Sequence, residues 1–190
     1  MIRVLSLSEK IREHTYKWNS DLYEHHYKEL PDEWSMLCIA MDTLDDTGLA
    51  LEHFERQGLG TGDGEKYLKL YGLLQGIFLQ QDSIRHLHKA LDARELKPQS
   101  DTGWMKIRDL RNLTVGHPID SSGSKSCMIS RVTIANNGFQ LIVWNKAKKA
   151  DEIETINFTV LYDQYKSEAI QHLETIYKAE VIKWPRKESC

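Results

Sequence analysis

The sequence predicts a mainly α-helical fold: an antiparallel bundle of four to five helices, with a small β-hairpin or short sheet inserted before the last helix. Three observations lead there. Apolar residues recur at helical spacing over most of the chain, glycine and proline are sparse (11 and 4 of 190 residues), and a single stretch near 126–158 switches to period-two alternation. With 41% hydrophobic and 28% charged residues the chain can bury a core, and its length suits one domain covering residues 1–190.

Taken in order, Leu7 to Leu30 carries Ile11, Trp18, Leu22, Tyr23 and Tyr27 at helical intervals and predicts a first amphipathic helix. Pro31-Asp32 breaks it, and Asp32 is placed to cap a second helix over about Glu33 to Gln57. Gly58 and Gly60 end that helix, and a third runs from about Asp63 to Ala93 on the stripe Leu70, Leu74, Ile77, Ile84, Leu91. A fourth opens near Asp101 and passes through Trp104, Ile107 and Leu110 to the stop at Gly116-His117-Pro118. Cys127 to Ala135 and Phe139 to Trp144 then alternate as strands about the turn residues Asn136-Asn137-Gly138, and a third strand is expected over Ile153 to Phe158. A closing helix, about 161–183, completes the chain.

Composition excludes several classes. Uncharged stretches are short: Leu70 to Gln81 is twelve residues and holds glycine and glutamine, too short and polar to span a bilayer, so no membrane partner is expected. The N-terminal segment lacks an apolar run ending in a small-residue cleavage site. Cys38, Cys127 and Cys190 are an odd set without a CxxC pair, which suits neither a disulfide framework nor zinc. A reducing cytoplasm is the expected location, and no metal or cofactor is implied. His86 and His88 point apart on a helix, and His25-His26 are adjacent, so neither pair can share a metal. With net charge −3, the chain does not grip duplex nucleic acid by its overall field; any such partner must meet a local site. The clusters Lys146-Ala-Lys148-Lys149 and Lys183-Trp-Pro-Arg186-Lys187 read as solvated loops and ends.

One segment departs from ordinary amphipathic patterning: Ile107 to Pro118. At about 100° per residue, Trp104, Ile107, Leu110, Thr114 and Val115 share a sector about 140° wide, and Arg111 falls inside it. A guanidinium there needs a partner, because an unpaired buried charge costs several kcal/mol. Arg111 is therefore expected to pair with a buried carboxylate, or to face a polar cleft or a subunit interface. Asn112 lies beside Arg108 on the adjoining edge, and His117 follows at the helix end. Gln81 and His88 occupy slots in the third helix's stripe. Asp82, one turn before His86, is the acidic residue best placed to orient a catalytic group.

Arg-Asn-x-x-x-x-His-Pro closing a helix in a helical bundle resembles the HEPN family (higher eukaryotes and prokaryotes nucleotide-binding), whose signature is an arginine, a polar residue and a histidine four to six positions after the arginine. The matching residues are Arg111, Asn112 and His117, and the likeness covers about residues 8–118. Many members are metal-independent endoribonucleases of toxin–antitoxin, abortive-infection and antiviral defence systems, dimeric with the motif at the interface. The resemblance thus implies an RNA hydrolase cutting single-stranded RNA through its own 2′-hydroxyl. Arg111 would stabilise charge, His117 would transfer the proton, and Asn112 would position them, with Asp82, Gln81 and Arg108 as possible support. It also implies an antitoxin or defence-system partner. A catalytically inactive dimerisation module that binds nucleotide or protein is the competing reading. In one antitoxin-regulated class a modified tyrosine stands two residues after the histidine; here that position is Ile119, so the likeness does not extend to that control. Six residues of ideal helix set Arg111 and His117 about 120° apart, so one subunit alone converges them only if the chain unwinds near Gly116; two helix ends meeting across a two-fold axis would bring them into one cleft, and a homodimer with a composite site is expected.

Overall fold

A computed structural model describes residues 1–17, 23–92, 95–116, 118 and 125–183. The fold is mainly α. Among the described residues there are five α-helices, α1 (Ile2–Lys17), α2 (Pro31–Gln57), α3 (Asp63–Leu87), α4 (Gly103–Arg111) and α5 (Phe158–Lys183). A three-stranded antiparallel sheet, in the order β1-β2-β3, precedes the last helix: β1 (Lys125–Ile129), β2 (Gly138–Asn145) and β3 (Ala150–Asn157). Short π-helical turns cover Tyr23–Tyr27, His88–Asp92 and Asn112–Gly116. The chain forms two compact units, one of Met1–Glu52, Leu79–Lys97 and Ser167–Cys190, the other of His53–Phe78 and Pro98–Lys166.

In the first unit, α1 begins five residues earlier than expected, because Val4 continues the stripe of Leu7 and Ile11 and all three are buried. It is described to Lys17; expectations for Trp18 and Leu22 lie outside the described residues. Asp32 is not the cap of α2. The helix starts at Pro31, whose fixed φ suits a first helical position, and Asp32 and Glu33 fall in its first turn, where carboxylates favour the helix dipole. Leu37, Met41 and Leu44 of α2, Ile84 and Leu87 of α3, and Leu173 and Ile176 of α5 are buried in the same unit. Among them lies a carboxyl group that periodicity does not reveal. Glu180 is fully buried; its Oε1 accepts a bond from the Thr15 hydroxyl at 2.5 Å, and its Oε2 has no hydrogen-bond partner among the described residues. Burial pushes this carboxyl up to about 8.

In the second unit, Gly58 and Gly60 adopt positive φ (64° and 85°) where the sequence places the helix stop. α4 opens at Gly103, two residues after the expected Asp101, and Thr102 caps it: its hydroxyl accepts from the Met105 N–H at 3.3 Å. Trp104, Ile107 and Leu110 are buried as the sector predicts, and the Trp104 ring lies 5.6 Å from that of Tyr165. The expected strand from Cys127 to Ala135 is cut short at Ile129. The reason is local: the Thr133 hydroxyl donates to the Ser130 carbonyl at 2.8 Å and accepts from Gln140 N–H at 2.9 Å, which draws Arg131–Thr133 into a 3-10 turn. Val132, expected on the same side as Ile134, is therefore 82% exposed while Ile134 is buried. The Asn136-Asn137 turn closes by the Ala135–Gly138 bridge, and β2 pairs β3 in register from Gly138↔Asn157 to Asn145↔Ala150. Lys146-Ala-Lys148-Lys149 makes the next turn, with Lys149 at φ 51° and Lys148 paired to Glu152 at 2.6 Å, an exposed loop as expected.

Candidate functional site

The site is built where α4 ends. Thr102 starts that helix, and its buried residues leave Arg108 and Arg111, three apart and so on one side, half-buried. The helix does not run on as an α-helix to Gly116. From Asn112 the winding widens to a π turn, in which residues five apart come into line. Arg111 and Gly116 are five apart, and a Cβ placed on Gly116 would stand 2.8 Å from Arg111 Nη1. The missing side chain at Gly116 is what lets the guanidinium lie against the chain there. The 120° separation expected from ideal winding therefore does not describe this segment. His117 itself lies outside the described residues.

Among the described residues Arg111 finds partners, but not the carboxylate that is one expectation. Its Nε and Nη2 both donate to Oε1 of Gln75 on α3, at 3.0 and 2.7 Å, and Nη1 donates to Asn112 Oδ1 at 3.1 Å. Its Cζ lies 4.1 Å from the centre of the Phe78 ring. These partners are two neutral amides and an aromatic face, so none cancels its charge. Two arginines of the first unit are held differently: Arg12 pairs with Asp42 and Asp45 at 2.8 and 2.7 Å, and Arg3 with Glu174 at 2.8 Å. Asn112 is thus a positioning group for Arg111, and its backbone N–H continues the helix to the Arg108 and Asp109 carbonyls.

Arg108 meets the same ring, its Cζ also 4.1 Å from the Phe78 centre, so the two guanidinium carbons lie no more than 8.2 Å apart. Like charges at that distance or closer repel by at least about 0.5–2 kcal/mol as the surroundings range from water to a protein surface. Each ring contact returns about 0.5–1 kcal/mol. The two guanidinium groups thus share one aromatic contact.

Gln75 and Phe78 were not among the residues singled out from sequence. The available signal was a polar residue beside core Leu74 in an uncharged stretch, with an aromatic residue three positions later on the same face.

Other candidates belong to the first unit. Gln81 is fully buried. Asp82 is half-buried and lines a cleft of about 250 Å³ with Arg85, His86, Lys89, Glu95 and Leu96. His86 is pulled down by burial and by Lys89. His88 is buried, its ring 6.1 Å from that of His172, whose imidazole burial and His88 hold below the usual histidine range. Among the described residues no three His, Cys, Asp or Glu side chains gather as a metal-binding group. No described helix is long and apolar enough to cross a membrane. Comparison with known protein families, curated proteins and solved structures gives no match.

Proposed function

We propose that this protein is a metal-independent endoribonuclease of the HEPN type that cuts single-stranded RNA, acting in growth arrest or phage defence. One observation carries the reading: Arg111 is fixed at a helix end by neutral amides, with no carboxylate paired to it among the described residues, against the glycine that precedes His117. In the reaction the ribose 2′-oxygen attacks the adjacent phosphorus and the bond to the 5′-oxygen breaks, leaving a 2′,3′-cyclic phosphate and a 5′-hydroxyl. His117 accepts the 2′ proton, a task suited to a group that titrates near neutrality. The leaving 5′-oxygen takes a proton from water or from a second imidazole. Arg111 offers its remaining N–H groups to the non-bridging oxygens as charge builds on the phosphorane. Gln75 and Asn112 set the fork before substrate arrives. A carboxylate in place of Gln75 would spend that charge in the resting protein. A homodimer with two such groups in one cleft belongs to the same reading and supplies the second imidazole.

The test is cleavage of a fluorescent single-stranded RNA by purified protein in excess EDTA. Wild type is expected to produce cyclic-phosphate ends, and Arg111→Ala and His117→Ala each to lower the rate by about a hundredfold or more. Wild type inert from pH 5.5 to 9, or an Arg111→Ala variant of full activity, overturns the proposal and leaves the silent binding module.

A further inference from the structure

We infer that the outer edge of β3 is a docking strand for an extended segment of another protein that carries lysine or arginine, which would join the sheet as a further strand; the inference is independent of the chemistry at Arg111. Among the described residues β3 is paired only on its β2 side. Gly138 gives both its backbone groups to Ala135, and the Gln140 carbonyl accepts from the Ser130 N–H, so the even-numbered residues of β2 face β1 and the odd-numbered ones face β3. Through the register, the β3 residues bonded to β2 are Ala150, Glu152, Glu154 and Ile156. The backbone groups of Asp151, Ile153 and Thr155 therefore point outward. They make no backbone hydrogen bond among the described residues, and all three residues are exposed. A row of outward N–H and C=O groups is matched by another polypeptide strand.

Charge selects the occupant. Natural edges are commonly blunted by lysine, proline, a bulge or shortness. β3 runs eight residues in unbroken register and carries Asp151, Glu152 and Glu154 with no lysine, arginine or proline. In a two-fold pair of β3 strands centred on Ile153, Glu152 of one copy would face Glu154 of the other, and like charges directly opposite are destabilising. The same carboxylates favour a basic strand. This chain already uses one of them so: Lys148 of the preceding turn pairs with Glu152 at 2.6 Å. The pleat then sets the pattern. Ile153 is 68% exposed and ends the row Met128–Ile142–Ile153 across one face of the sheet, where Met128 is 57% exposed. Glu152 and Glu154 stand on the opposite face. An incoming residue opposite Ile153 extends the apolar row, and its two neighbours fall beside the glutamates, which calls for a basic–apolar–basic segment.

The experiment measures fluorescence anisotropy of a labelled peptide, Ser-Lys-Val-Lys-Val-Lys-Ser, with the whole protein at low salt. Binding is expected and should weaken as salt rises. A peptide with glutamate at the lysine positions should bind at least about tenfold more weakly. N-methylation of the valines, whose N–H groups would face β3, should weaken binding by about tenfold or more, whereas N-methylation of the lysines should change it little. Asp151→Lys combined with Glu154→Lys should reverse the preference toward the glutamate peptide, with far-ultraviolet dichroism checking that the variant folds. In amide hydrogen exchange followed by NMR, Asp151, Ile153 and Thr155 should exchange fast in the protein alone and slowly with peptide bound. No binding of the lysine peptide up to about 1 mM, equal binding of the two methylated forms, or slow exchange of these amides without peptide, as a second copy on the edge would give, overturns the inference.

Discussion

Replacing Glu180 by glutamine should make the protein more stable at neutral and alkaline pH, and the size of the gain follows from the burial of this one carboxyl. Its ordinary value is 4.5, and in the folded chain it is pushed up to about 8 by desolvation, against the lowering influence of the Thr15 bond. A group whose folded value is raised holds its proton in the native state while the unfolded chain has lost it. Stability from that proton is complete below 4.5 and is lost as pH rises toward 8, by about 1.4 kcal/mol per pH unit within the window. At pH 7 the cost of keeping Glu180 buried is about 3 kcal/mol, a large share of the stability of an ordinary domain. Glutamine keeps an oxygen for the Thr15 hydroxyl to donate to and does not titrate. Urea unfolding followed by circular dichroism at pH 5, 6, 7 and 8 reads the difference. Glu180→Gln should exceed wild type by about 3 kcal/mol more at pH 8 than at pH 5. Histidine titration, including that of His172, is common to both proteins and cancels in the comparison. Parallel pH curves for the two would refute the reasoning, since they would mean that Glu180 is ionised in the native state or open to water.

Gly116→Ala tests the support of the candidate site. The new methyl meets only the movable tip of Arg111, so urea stability should change by less than about 1 kcal/mol while the RNA cleavage we propose falls at least about tenfold; unaltered cleavage would show that the guanidinium need not lie there. At Gly138 the obstacle is backbone: a Cβ would run into the Ile156 carbonyl across the β2–β3 pair. Gly138→Ala should therefore cost about 2 kcal/mol or more in urea unfolding, with the sheet rather than the helices disturbed in far-ultraviolet dichroism.

What the sequence determined on its own was local. The 3.6-residue stripes set the existence of the long helices, Gly58 and Gly60 set the end of α2, and period-two alternation with the Asn-Asn-Gly turn set a small sheet before α5. The inward placement of Arg111 was legible for the same reason: a charge in an apolar sector is visible in the spacing alone. Tertiary structure decided what that charge meets. Gln75 lies 36 residues before Arg111, and nothing in the local pattern of either helix pairs them. The π turn that sets Gly116 against Arg111 shifts the helical phase by one residue, a change that fixed 100° steps cannot register. The same holds for Glu180, whose position on α5 reads as an ordinary polar site until Thr15, 165 residues earlier, is brought beside it. Periodicity reports which face of an element is covered. Only the folded chain specifies the partner, because burial and pairing energies arise between segments that the sequence keeps far apart.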